Sequence, residues 1–336
     1  MISDVSRARS RLLIGALVAA AVLGTTTSAI ALGVALSPPG RGSVSADAPS
    51  EVSHPPGPAG TPTPVASSPN GTGTTEPGRP ATTEPGRTSP TPSAGSGGTP
   101  PDRGVPGATR AGTRPPVVDH GPRTGNRVAL TFDADMTDSM LYSLRTGRVK
   151  SYANLRIVEL LEREQLPATF FLTGKWVERY PELTRRLAGN PRFELANHTY
   201  GHLAFTGNCY DLPRVPSRNM TEDVAKTFRV IEPYGGRQTR YFRFPGLCHD
   251  GEALAALAPL GVTVVDGDVV SGDPFATAWQ PIVRAVLDQV RPGSVVIMHV
   301  TEANAAMTDE ALPHILAGLR ERGLVPATLS EVLAES

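Results

Sequence analysis

The residues of this chain with the most chemical content are a few histidines, aspartates and one arginine. His198-Thr199-Tyr200-Gly201-His202 sets two imidazoles at i and i+4, the spacing at which a helical turn presents both to a zinc-like cation. Taken alone the pair is a weak signal. Asp133 and Asp135 strengthen it, because three protein ligands leave one coordination position open to water. One aspartate can complete that set, and the other must stay free if it is to take a proton from water. Arg243 can hold the free carboxylate in position. His299 can pass a proton to a leaving group, with a carboxylate such as Asp273 raising its pKa. A cation that acidifies water and polarises a carbonyl, joined to a base and an acid, describes hydrolysis at a carbonyl carbon. Each residue also has a plain structural use: an aspartate can cap a turn, Arg243 can sit in an ion pair, and His299 can be a satisfied core histidine. His120, His249 and His314 have no such company in the sequence and are read as ordinary.

What must position these side chains is a set of apolar strands. Asp133 and Asp135 follow Val128–Phe132, His198 follows Phe193–Ala196, and Arg243 ends Tyr241–Phe242. Asp268 and Asp273 come after Val262–Val265, and His299 comes after Val295–Met298. With a further strand at Ala168–Leu172, and helices near 155–161, 222–231, 252–258, 281–290 and 310–322, the pattern alternates strand and helix. Strands apolar on both faces with helices between them predict a parallel sheet covered on its outside, and about seven units fit a distorted (β/α) barrel. In a parallel barrel the chemistry gathers where the strands end. All the residues above then share one mouth.

The rest of the chain places this domain. Composition is uneven: much of the Gly, Ser and Thr, and most of the 33 prolines in the 336 residues, precede about residue 125. Arg7, Arg9 and Arg11 flank an apolar stretch without charge from Leu12 to Gly40, which reads as a signal anchor over residues 1–36 with the basic side in the cytoplasm. Cleavage after Ala29-Ile30-Ala31 or Ala46-Asp47-Ala48 is the alternative, giving a secreted protein. Residues 37–125, with the repeated Thr74–Arg79 and Thr82–Arg87, read as a disordered, proline-stiffened linker. Residues 126–336 are the folded domain. Zero formal net charge gives no support to a nucleic-acid partner. Cys209 and Cys248 are expected to form a disulfide in an exported protein, ahead of a soft-metal pair.

These motifs carry a resemblance. From about Asn126 to Leu333 the chain resembles the polysaccharide deacetylases of carbohydrate esterase family 4, the NodB-like group. Thr131-Phe132-Asp133-Ala134-Asp135 is similar to the family's Thr-Phe-Asp-Asp-Gly motif, and His198–His202 to its second. Arg243-Phe244-Pro245-Gly246, the stretch Asp268–Asp273 and Ile297-Met298-His299 are similar to the third, fourth and fifth. The resemblance implies Asp133 as base, Arg243 as its orienting partner, His299 as acid, Gly246 N–H as oxyanion donor and Ile297 in the acetyl pocket. It also implies His198 and His202 as ligands of a divalent metal, Zn²⁺ first and Co²⁺, Ni²⁺ or Mn²⁺ next. Three departures stand out. Ala134 occupies the family's metal-binding Asp position, so either the turn shifts to bring Asp135 to the metal or two histidines and water hold it. Pro274-Phe275 replaces the Trp that commonly follows the fourth-motif Asp. A Cys209–Cys248 bridge would tie two metal-site loops together. The implied function is removal of N-acetyl groups from a cell-wall or extracellular polysaccharide, peptidoglycan or chitin-like, by a monomer at the outer face of the membrane. An O-acetyl xylan esterase and an inactive wall-binding module are the alternatives.

Overall fold

Runs without a polar partner on either face become strands buried on both. In the computed structural model, which describes residues 104–334, nine strands form one sheet. They are β1 (Val117–Val118), β2 (Arg127–Ala134), β3 (Ala168–Leu172), β4 (Phe193–Asn197), β5 (Arg237–Phe242), β6 (Thr263–Val265), β7 (Val269–Val270), β8 (Val295–His299) and β9 (Val325–Ala327). Their order is β1-β6-β5-β4-β3-β2-β8-β7, with β9 beside β2, and every ladder is parallel. Helices cover the outside, α1 (Asp138–Arg145), α2 (Leu155–Arg163), α3 (Gly174–Arg179), α4 (Pro181–Gly189), α5 (Met220–Ile231), α6 (Gly251–Leu257), α7 (Trp279–Leu287) and α8 (Thr308–Glu321), and a further one, α9 (Leu329–Leu333), follows β9. This is the distorted parallel barrel expected, left partly open, with more strands than the apolar runs alone suggested.

Packing follows the strand period of two. Leu130, Phe132, Phe170, Leu172, Val296 and Met298 face the helices, where Ile157, Val158, Leu160 and Leu161 of α2 meet them. Ala129, Phe171, Ala196, Tyr241, Val265 and Val295 face the other way and enclose a second core with Leu329 and Val332 of α9. The last helix therefore packs against the strands' inner faces. Its start is held by a buried acid: Glu194, fully buried on β4, accepts from Ser330 N and from Thr169 Oγ1, and pairs with Arg237 at 3.0 Å. Removing it leaves several buried donors unmet. Glu194→Ala is expected to lower unfolding free energy by about 2–3 kcal/mol, read from the urea midpoint of the full chain.

One sequence expectation changes here. A proline-rich linker is expected up to residue 125, yet residues 104–125 pack into the domain. Val117–Val118 pairs with β6, Arg240 N donates to Pro106 O, and Gly107 lies so close to Tyr241 that a Cβ there would sit 2.6 Å from its ring. His120 then bridges Ser294 and Arg123 pairs with Asp268 at 2.7 Å, so this segment joins the two ends of the sheet. Backbone pairing does this without apolar periodicity, which is why composition hid it. The anchor at 1–36 and the linker up to residue 103 lie outside the described residues. Among those described, no helix is long and apolar enough to cross a membrane.

Candidate active site

Strand register brings the expected residues into one layer. Ala134, Leu172, Asn197 and Phe242 are successive partners across β2, β3, β4 and β5, so the residues one step on, Asp135, His198 and Arg243, leave the sheet side by side. Asp133 lies directly across from His299 on β8. The β4–β5 ladder reaches this register only through a bulge between Leu195 and Asn197, and bulges re-aim the side chains that follow them. Without it Arg243 would not face Asp133.

The two histidines are not on a helix. His198 to His202 form a loop after β4 in which Thr199 (φ 70°) and His202 (φ 56°) take left-handed backbone. Such conformations are costly for side-chain-bearing residues and persist where neighbours enforce them. Here Thr199 N donates to Asn197 Oδ1 and His202 N donates to Thr199 Oγ1. The loop achieves what i, i+4 spacing on a helix was expected to achieve, with ring centroids 5.0 Å apart.

Asp135, His198 and His202 each offer a donor atom, and these atoms lie within 4.8 Å of one another. Asp135 Oδ1 is 3.4 Å from Nε2 of both histidines, is buried, and has no hydrogen-bond partner. An orphaned buried carboxylate oxygen is expensive unless a cation completes it. His198 Nδ1 donates to the Arg243 carbonyl at 2.9 Å, which orients the ring and turns Nε2 toward the aspartates. Burial opposes a charged His202 and, against the pull of Asp135, lowers its pKa to about 4, so it is neutral near pH 7. Burial also opposes ionisation of Asp135, but the neighbouring imidazoles of His202, His299 and His198 outweigh it and hold the carboxyl well below the usual range. Two imidazole nitrogens and one carboxylate fit a divalent ion, and Asp135 stands where Ala134 cannot serve.

Asp133 is placed for a different role. Its Oδ1 accepts from Arg243 Nη1 at 2.6 Å, and its Oδ2 lies 3.8 Å from His198 Nε2. Arg243 is itself fully buried, stacked 3.9 Å over the Phe171 ring and donating through Nε to Val265 O, so its fork is rigid. On the other side, His299 Nδ1 meets Asp273 Oδ1 at 2.8 Å, and its Nε2 lies 3.7 Å from Asp135 Oδ2. Burial disfavours the His299 cation, but Asp273 and Asp135 prevail and raise its pKa to about 10. Gly246 sits with φ 59° in an exposed turn three residues beyond Arg243.

Some placements were not foreseen. Asp268 faces away from the mouth: besides Arg123 it accepts from Val295 N at 2.7 Å and Ser294 Oγ at 3.0 Å, at the start of β8. His249, read as ordinary, pairs with Asp266 at 2.9 Å. Asp273 is held by Ser271 Oγ and Thr308 Oγ1, and Asn304 reaches Asp135 Oδ2 at 3.4 Å. Ser271 two residues away could have been suspected. Thr308 and Asn304 arrive from the α8 region with no local signal. Cys209 and Cys248 are bridged, tying the loop after His202 to the turn after Pro245.

Fold and site together define a parallel α/β barrel with three clustered donor groups, Asp135, His198 and His202, at its strand ends that could hold a cation. Over residues 120–265 the chain matches the family model of the polysaccharide deacetylases. It is 27% identical over 186 residues to a chitooligosaccharide deacetylase of Sinorhizobium fredii, covering 52% of this chain and 83% of that one. It is 27% identical over 218 residues to a peptidoglycan-N-acetylglucosamine deacetylase of Bacillus cereus, covering 64% and 71%. A 24% identical Bacillus subtilis relative, the uncharacterised protein YlxY, is matched over 53% of its length. Among solved structures, a family 4 pseudoenzyme of Bacillus anthracis shares the fold, with TM-score 0.52, 24% identity, and coverage of 66% of this chain and 70% of that one.

Proposed function

We propose that this chain hydrolyses the N-acetyl amide of GlcNAc or MurNAc units in a polysaccharide, with a divalent cation, zinc first, held by Asp135, His198 and His202. The observation that carries this is the orphaned Asp135 Oδ1 equidistant from two imidazole nitrogens, flanked by an unliganded Asp133 on one side and His299 on the other. When bound, such a cation acidifies water and polarises the acetyl carbonyl. The protein's own groups do the rest. Asp133, steadied by Arg243, takes a proton from the attacking water. The Gly246 N–H receives the charge developing on the carbonyl oxygen. As the C–N bond breaks, His299 gives its Nε2 proton to the amine, leaving acetate and a free amino sugar.

Peptidoglycan suits a domain carried on a long proline-rich linker at the outer face of the membrane, and the S. fredii and B. cereus relatives carry names for chitin-like and peptidoglycan substrates. The same groups serve an O-acetyl ester, whose leaving alcohol needs less help from an acid. An inactive wall-binding module is favoured by one feature only, the Ala134 departure, and Asp135 supplies the carboxylate that Ala134 lacks. The test is acetate release by the full chain from purified peptidoglycan and from N-acetylated chitopentaose, after chelation and again with zinc or cobalt restored. Metal-dependent acetate supports the reading; no acetate from any substrate with any metal refutes it.

A further inference from the structure

Scattered exposed apolar side chains are ordinary, but contiguous ones beside a site carry meaning. Among the described residues, Tyr210 (49% exposed) and Phe275 (66% exposed) are solvent-facing aromatics in mutual contact, with centroids 6.1 Å apart and planes tilted by 31°. They come from different loops, one after His202 and one after Asp273. Tyr210 lies against Gly246, whose absent Cβ would sit 2.7 Å from the tyrosine ring and 2.8 Å from Cys209 Sγ. Phe275 follows by two residues the Asp273 that holds His299.

The Tyr210 position is enforced. Tyr210 (φ 50°) and Asp211 (φ 57°) both take left-handed backbone, and the residue before them is locked by the bridge to Cys248. Strained backbone of this kind persists only where the surroundings over-determine it. A core role does not account for the expense, since half the ring is in solvent.

We propose that Tyr210 and Phe275 form a stacking platform for a pyranose ring next to the sugar being deacetylated, held in place by the Cys209–Cys248 bridge. This rests on the polysaccharide reading above. The C–H face of a β-linked pyranose packs on an aromatic surface, and a rigid aromatic loses little entropy on contact. The Tyr210 hydroxyl adds a partner for a sugar hydroxyl. A polymer substrate supplies such a neighbour and an isolated acetyl compound does not.

Binding of N-acetylchitopentaose to the full chain, measured calorimetrically, tests this separately from catalysis. Tyr210→Ala combined with Phe275→Ala is expected to raise Kd about ten-fold or more, while Tyr210→Phe with Phe275→Tyr stays within about three-fold of wild type. Reducing the bridge in the wild-type chain is expected to weaken binding in the same direction. Equal affinity of wild type and the double alanine variant overturns the platform. So does a wild-type chain that does not bind the pentamer, or one in which the two rings instead drive self-association seen by sedimentation. If acetate release fails but the affinity loss is observed, the platform stands and the hydrolytic reading falls.

Discussion

Asp135→Ala is expected to release the cation and abolish turnover together, whereas Asp133→Asn is expected to keep the cation and lose turnover alone. The difference comes from geometry. Asp135 Oδ1 is equidistant from His198 and His202 and bonded to nothing else, so its loss removes the only anionic donor of the set. Two neutral imidazoles hold a hard divalent ion poorly. Asp133 instead gives one oxygen to Arg243 and keeps the other free. An amide in its place still accepts from Arg243 but takes no proton from water, and loss of a positioned base costs about 10²–10⁴ in rate. Metal content per chain after dialysis, set beside acetate release, checks the pair. One ion retained by Asp135→Ala, or none by Asp133→Asn, would exchange the two roles. A side effect is expected in the second variant: Arg243 is fully buried, so weakening its partner lowers Tm even though the fold is kept.

How much of this the sequence discloses depends on how each contact is encoded. Strand ends are legible because an apolar run breaks sharply at Asp133, His198 and His299, and a parallel barrel then places them at one mouth. The family's motifs add the order of the residues. The loop carrying His202 is not legible, because two left-handed residues supported by Thr199 and Asn197 give the same i, i+4 spacing as a helix. Nor is the reversal of Asp268, which follows from a glycine at φ 72° just before it that turns the chain from β6 to β7. Short strands such as β1, β7 and β9 lack enough residues to show a period at all. Supporting groups such as Thr308 and Asn304 are polar residues beside a helix start, a place where polar residues are common for other reasons.

His299→Gln is expected to lower amide hydrolysis by about 10²–10⁴, with a much smaller loss on an activated acetyl ester, since only the amine needs a proton to depart. On that reading the contact with Asp273 keeps His299 protonated at neutral pH. Burial alone would strip His299 of its charge; Asp273, with Asp135, overrides that and lifts its pKa to about 10. The sign of the pH effect follows. A raised pKa keeps the acid protonated through neutrality, and amide turnover falls as pH rises through that value. A cation on Asp135 offsets that carboxylate's share and moves the alkaline limb downward, leaving Asp273 as the main support. Asp273→Asn therefore moves the limb lower still, and it also leaves Thr308 and Ser271 bonding to an amide in place of an acid. The pH profile of kcat for amide and ester substrates separates these effects. An alkaline limb that Asp273→Asn leaves unmoved, or equal losses on amide and ester in His299→Gln, would remove His299 from the role of acid and return it to the structure of β8.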